Sequence, residues 1–263
     1  MNLSPHLNVA VRAARAAGRE AMMFFKRRHE LVIDPKGIND FVTTADIAVE
    51  KEIIRQLHKA YPQYGIMAEE TGRNSSLSGW RWIIDPIDGT TNFIHGLPHF
   101  AIAIALANDQ ELHAAVVYNP ATDELFTAER GRGAFLNSQR LRVTRSIRLD
   151  QCLLATGFPV NQPDRVRQHW RAVEELLVAS RGIRRLGSAA LDLAFVATGR
   201  YDGFWEPVLQ PWDIAAGILL VTEAGGLVTD FAGGQGFLLS GNVIAAPPAI
   251  HRLMLTAIQP HWA

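Results

Sequence analysis

Two carboxylates three residues apart, Asp85 and Asp88, lie inside the segment WIIDPIDGTTNF at residues 82 to 93. An apolar run, Trp82, Ile83 and Ile84, precedes them and reads as a buried strand. Gly89, Thr90, Thr91 and Asn92 follow, small residues that leave backbone amides open to an approaching anion. Pro86 fixes its own φ and Gly89 accepts angles that other residues resist, so the turn is able to aim both acids and several N–H groups at one point. Carboxylates crowded together resist ionising together, so a site that holds several usually also holds a cation. Metal plus phosphate is the chemistry this pattern suggests, although Asp-Pro and Asp-Gly pairs also form ordinary turns.

Other acids fall at places where an element should present them. The segment YGIMAEETG reads as a short strand ending in Glu69 and Glu70, either solvated or a metal ligand with its neighbour. Asp46 stands in the first turn of a helix that starts behind Thr43 and Thr44, buries Ile47, Ile53, Ile54 and Leu57, and stops at Pro62. Asp213 stands at the start of the apolar helix Ile214, Ala215, Ile218, Leu219, Val221, which runs to Gly225. An acid at a helix N-terminus is favourable in any protein, so Asp46 and Asp213 read equally as caps. Lys36, Gly37, Asn39 and Asp40 lie in a polar, turn-prone stretch that by itself reads as a solvated connection.

The elements carrying these residues alternate. Leu7, Val11, Ala14, Gly18, Met22 and Phe25 recur at helical spacing behind Ser4-Pro5, which indicates an amphipathic helix docked on a core rather than an Arg-rich presequence. After the motif, HFAIAIALA, ELHAAVVYNP and ELFTAERG are strands separated by turn residues, hence a meander and a largely antiparallel sheet. From residue 151 the pattern changes to single strands alternating with helices, which divides the chain into an α+β half, 1–149, and an α/β half, 150–263.

The chain has 263 residues, 26 basic and 26 acidic, and a formal net charge of zero. That balance gives no global pull toward nucleic acid or anionic membrane, and no run of 18 apolar residues spans a bilayer. The single cysteine, Cys152, lies in an apolar run and reads as a small core residue, consistent with a reducing, cytoplasmic setting.

Together these segments resemble the inositol monophosphatase family. The D-P-x-D-G-T-[TS]-N core at 85 to 92, the acidic strand end at Glu69 and the W-D-x-A-[AG]-G element at 212 to 217 occur in that family's order and spacing. KGxxDxVTxxD at 36 to 46 and LSGN at 239 to 242 also match, so the resemblance covers almost the whole chain. It implies a layered αβαβα sandwich with the site between two halves. Glu69, Asp85 and the carbonyl of Ile87 would hold one Mg²⁺, Asp85, Asp88 and Asp213 a second, with a weaker third nearer Glu69 and a mobile loop bearing Lys36 and Asp40. Thr90, paired with Asp46, would orient and deprotonate the attacking water. Gly89 and Thr90 would cradle the phosphate, and Glu206, the backbone amide of Ala189 and Asp88 would meet the alcohol. Some family members carry histidine where this chain has Gln210.

The activity implied is Mg²⁺-dependent, Li⁺-sensitive hydrolysis of a small phosphate monoester, foremost myo-inositol 1-phosphate. Fructose-1,6-bisphosphatase, 3′-phosphoadenosine nucleotide phosphatase and histidinol-phosphatase share the fold, and Arg184 and Arg185 do not decide among them. The resemblance further implies a homodimer. Some bacterial relatives also bind the transcription and ribosomal-RNA synthesis machinery, which makes Arg140, Arg142, Arg145 and Arg148 either an interaction face or a solvated strand edge.

Overall fold

The computed structural model describes residues 3–37, 40–74, 76, 78–109 and 111–262, with the side chains of Lys36 and Asp40 outside the described residues. Helix α1 (Pro5–Lys26) is started by Ser4, whose hydroxyl accepts from the Leu7 amide, with Pro5 at its first position. The hairpin β1 (Ile33–Gly37) and β2 (Asp40–Thr43) leads to α2 (Thr44–Ala60). Strands β3 (Gly65–Ala68), β4 (Gly72–Arg73) and β5 (Arg81–Asp88) then deliver the chain to the short α3 (Thr90–His95). The meander is β6 (Ala101–Ala107), β7 (Leu112–Asn119), β8 (Glu124–Glu129), β9 (Gly133–Leu136) and β10 (Gln139–Arg140).

Strand β11 (Leu153–Thr156), α4 (Pro163–Ala179), β12 (Gly182–Arg184), α5 (Ala189–Thr198) and β13 (Gly203–Glu206) come next. The chain ends with α6 (Pro211–Glu223), β14 (Leu227–Thr229), α7 (Phe237–Ser240), β15 (Val243–Ala246) and α8 (Pro248–Ile258). Among the described residues the strands make the β1-β2 pair, an eight-stranded sheet β10-β9-β8-β7-β6-β5-β3-β4 and a five-stranded sheet β12-β11-β13-β15-β14. The meander is antiparallel throughout, and β3 joins β5 in parallel.

Five layers result. Helices α1 and α2 cover one face of the larger sheet, α5 and α6 lie between the two sheets, and α4 and α8 cover the smaller sheet from outside. Helices α5 and α6 are apolar on nearly every side because sheet packs on both of their faces. Helix α6 comes from the C-terminal half of the chain, yet its body packs on β5 to β9 of the first sheet. No helix among the described residues is long and apolar enough to cross a membrane.

Three expectations shift. The buried stripe of α1 is the alanine row Ala10, Ala13, Ala14, Ala17 and Ala21 with Leu7, Val9 and Gly18, while Val11, Met22 and Phe25 are only partly buried at its margin. Small side chains let the helix axis approach the sheet closely; Tyr118 and Pro120 lie against Gly18 with no room for a Cβ. Ile47, expected on the buried face of α2, is 41% exposed, and Ala45, Asp46, Val49 and Glu50 take that face with Ile53 and Leu57. Residues 33–37 and 40–43, read as part of a polar connection, pair as antiparallel strands; Asn39, and the side chains of Lys36 and Asp40 for which mobility was inferred, lie outside the described residues. Cys152 is buried, and its thiol lies 3.1 Å from the Arg148 carbonyl.

Candidate active site

Strand β5 does more than precede the two acids, because it contains them. Side chains alternate along a strand, so residues 85 and 88 would face opposite ways in a regular one. The register with β6 slips between Asp85 and Asp88, next to the Pro86 that has no N–H to give. That irregularity turns both carboxyls toward the same end of the sheet. Asp85, 2% exposed, accepts from the Ile87 amide at 3.0 Å. Gly89 follows with φ +98° and starts α3.

Asp46 serves two partners with its two oxygens. Oδ2 accepts from the Thr43 amide at 2.8 Å and from the Thr43 hydroxyl at 2.6 Å, which closes a capping box at the start of α2. Oδ1 lies 3.3 Å from Thr90 Oγ1, which also lies 3.0 Å from the Ile87 carbonyl. A hydroxyl has one hydrogen, so these two acceptors compete for it. The cap and the partnership with Thr90, alternatives in the sequence, are both present.

Asp213 is the third residue of α6 and accepts from the Gln210 amide at 2.7 Å, with Pro211 opening the helix. Gln210 caps this helix rather than standing apart from it. Asp88 is held from across the molecule: Ser188 Oγ donates to it at 2.5 Å and the Ala190 amide at 2.7 Å. The Ala189 amide, expected to face substrate, also lies against Asp88 at the start of α5.

Burial, and then the charges of Glu69, Asp88, Asp213 and Asp46, push the Asp85 carboxyl well above its usual range. Asp213 is raised by burial and by Asp88, and Asp88 by burial to about 6 against the donors of α5. Burial raises Glu206 to about 8, opposed by Arg185. The named acids therefore share one electrostatic site. Among the described residues no three acids, histidines or cysteines close into a ready-made cage. An all-oxygen donor set of spaced carboxylates suits a hard divalent cation that keeps several waters and takes substrate oxygens.

A cleft of about 440 Å³ opens beside the acids, between Glu69, residues 158–161, residues 206–210 and Asp213. Its 206–210 wall is braced by the LSGN element. Asn242 Oδ1 accepts from the Val208 amide at 3.1 Å, and the Leu209 amide donates to the Gly241 carbonyl at 2.8 Å. Gly241, with φ +70°, leaves space in which a Cβ would come 2.2 Å from the Leu209 carbonyl oxygen. Val208 itself has φ +63°, a strained angle for a β-branched residue. A second cleft, of about 400 Å³ between the β6–β7 turn, α6 and α7, lies away from the acid cluster.

Three supporting residues went unread. Glu50, one helical turn after Asp46 and 1% exposed, accepts from the Glu70 and Thr71 amides at 2.8 and 2.9 Å and fixes the turn behind Glu69. Its place four residues from Asp46 on one helix face was the available signal. Ser188 caps α5, and its bond to Asp88 joins distant segments. Asn92, inside the motif, directs its amide nitrogen to the carbonyls of His99 at 2.7 Å and Leu186 at 2.8 Å, clamping α3 to the approach to α5. Arg140, Arg142, Arg145 and Arg148 are all exposed, and Arg148 pairs with Asp150.

Comparison with known proteins agrees with this geometry. Residues 2–263 match the model of the inositol monophosphatase family. The chain is 48% identical over 264 residues to the Nus factor SuhB of Pseudomonas aeruginosa, covering 98% of this chain and 97% of that one. The crystal structure of the extragenic suppressor protein suhB from Bartonella henselae superposes with a TM-score of 0.95 at 46% identity, over 97% of this chain and 99% of that one. Inositol monophosphatase from Anabaena (Nostoc) sp. PCC 7120 superposes with a TM-score of 0.87 at 34% identity, over 99% and 97% of the two chains. With the acid cluster, the layered fold and these matches in agreement, the chain belongs to the inositol monophosphatase family.

Proposed function

We propose that this protein hydrolyses small phosphate monoesters with Mg²⁺, foremost myo-inositol 1-phosphate, by direct attack of water. The observation that carries the reading is the Thr90–Asp46 pair at the edge of the acids Glu69, Asp85, Asp88 and Asp213. Glu69, Asp85 and the Ile87 carbonyl would hold one ion, and Asp85, Asp88 and Asp213 a second. A weaker third site would lie toward Glu69 and the hairpin bearing Lys36 and Asp40. Mg²⁺ bound there would neutralise the ester, lower the pKa of water and support the leaving oxygen.

The protein's own groups do the rest. Asp46 takes its share of charge at Thr90 Oγ1, so the hydroxyl orients the water and passes its proton toward the carboxylate. The Gly89 and Thr90 amides hold phosphate oxygens. Glu206 and Asp88 would meet the alcohol, where a carboxylate accepts from neighbouring hydroxyls, with the Ala189 amide acting through the Asp88 carboxyl it lies against. Inhibition by Li⁺, a homodimer and a cytoplasmic setting complete the reading. The test is phosphate release from myo-inositol 1-phosphate with and without Mg²⁺ and Li⁺, beside fructose 1,6-bisphosphate, 3′-phosphoadenosine 5′-phosphate and histidinol phosphate. Preference for another ester would replace the substrate, and no turnover of any would refute the enzyme.

The name Nus factor, borne by a relative 48% identical, favours a second role as a partner of the transcription machinery. Binding to purified RNA polymerase and its elongation factors should survive Asp85→Asn. No binding by either form would remove that role.

A further inference from the structure

The alcohol side of the cleft rests on a residue with no side chain. A Cβ on Gly157 would lie 2.1 Å from Oε1 of Glu206, 2.2 Å from Cδ and 2.2 Å from Oε2. The whole carboxyl group therefore lies on the Gly157 backbone, in space that any other residue would fill. Gly157 and Glu206 stand one step beyond the parallel register in which Thr156 of β11 faces Trp205 of β13. The Thr156 hydroxyl lies 2.6 Å from the Trp205 carbonyl and 3.0 Å from His169 Nε2. The Gly157 carbonyl lies 3.2 Å from the same hydroxyl, and a hydroxyl that gives its one hydrogen to either carbonyl would accept from a His169 that carries its proton on Nε2. Nδ1 of His169 is buried without a partner among the described residues. This network fixes the two strand ends against each other, so the carboxyl and its glycine seat are held at a set distance. Burial, Arg185 and Asp88 act on the Glu206 carboxyl, and no hydrogen bond from a described residue is among these influences. Its acceptor positions face a cleft wide enough for a polyol.

We propose that Gly157 is a positioning residue of the alcohol subsite: its missing side chain sets the depth at which Glu206 meets the hydroxyls of the leaving group, and thereby favours phosphate esters of polyols. The proposal rests on the phosphatase reading above. The atoms in the way of a Cβ are the tip of one side chain, so Gly157→Ala is absorbed by displacing the carboxyl into the cleft and not by breaking the backbone.

The test compares Gly157→Ala with the unaltered protein on myo-inositol 1-phosphate and on p-nitrophenyl phosphate, which offers Glu206 no hydroxyl. The ratio of the two kcat/KM values should fall about tenfold through KM for the inositol ester, the effect of misplacing a hydrogen bond to a charged group. Glu206→Asp draws the carboxyl back by one methylene, and adding it to Gly157→Ala should recover part of the ratio. Equal loss on both esters, or no recovery, overturns the proposal. Substrate-free melting temperatures of Gly157→Ala, Glu206→Ala and the pair form a double-mutant cycle in which the shifts should be coupled. Additive shifts would refute the contact itself. Coupled shifts with an unchanged ratio overturn the subsite alone, whereas no turnover by the unaltered protein overturns the phosphatase reading and the subsite with it.

Discussion

The two ends of the cleft are built differently. At the proposed phosphate end three acids are held by short bonds inside a capping box, an irregular strand or a helix start: Asp46 by Thr43, Asp213 by Gln210, Asp88 by Ser188 and Ala190. At the proposed alcohol end Glu206 is placed by close packing on Gly157, and the wall after it carries a strained Val208 and depends on Gly241 and Asn242. Bonded acids with fixed directions suit chemistry that does not vary. Packing and a strained loop suit recognition, which changes by exchanging side chains without disturbing the reaction.

Substitutions at the phosphate end should therefore act on turnover, and those at the alcohol end on discrimination or stability. Asp85→Asn is the most severe: turnover should fall by at least about a thousandfold, since the carboxylate shared between the proposed ions is lost, with the circular dichroism spectrum retained. Thr90→Ala should lower kcat by about a hundredfold or more and leave Mg²⁺ affinity, read by calorimetry, within a small factor; equal loss of both would contradict a role in activating water. At the other end, Gly241→Ala should cost at least about 2 kcal/mol in denaturant unfolding, because it adds a Cβ against the Leu209 carbonyl at a left-handed angle.

Acid should also act on two buried histidines, His169 against Thr156 and His251 against Thr229. Burial lowers His169 and His251 to about 4, while their unfolded values are near 6.5. Between these limits the unfolded chain binds protons that the folded chain refuses, so stability falls as pH drops from about 6.5 to 4 and changes no further below that on their account. The raised carboxyls of the site act in the opposite direction, so the histidine contribution is read as a difference: relative to the unaltered protein, the melting temperature of His169→Gln should improve as the pH is lowered from 6.5 to 4, and a constant difference would remove His169 as a source of acid sensitivity. The smallest effect is expected of Val208→Asn, which relieves a β-branched residue at φ +63° and should raise stability by up to about 1 kcal/mol.

What was legible in the sequence follows the same division. The acids sit in local motifs that the resemblance to the family picks out, and the strands and helices around them follow plain periodicity. Even so, the slip between Asp85 and Asp88 was hidden, because a proline in a strand reads as its end. The seat of Glu206 was illegible, since Gly157 and Glu206 lie 49 positions apart and meet only through the pairing of β11 with β13. Ser188, Glu50 and the LSGN brace escaped for the same reason: each matters through a partner supplied by tertiary pairing. The stripe of α1 was misplaced because large apolar residues outweigh alanine in a periodicity count, whereas close packing on a sheet favours alanine.

Helix α6 carries Asp213 at its first turn while its body fills the groove over the first sheet. The same rod is thus a wall of the core and the carrier of a proposed metal ligand, and neither half of the chain owns it. Denaturant should extinguish activity and tertiary structure along one curve, and a chain cut near residue 149 should regain turnover only when its two pieces are refolded together. A cell that degrades unfolded chains would then seldom meet a folded but inactive form of this protein.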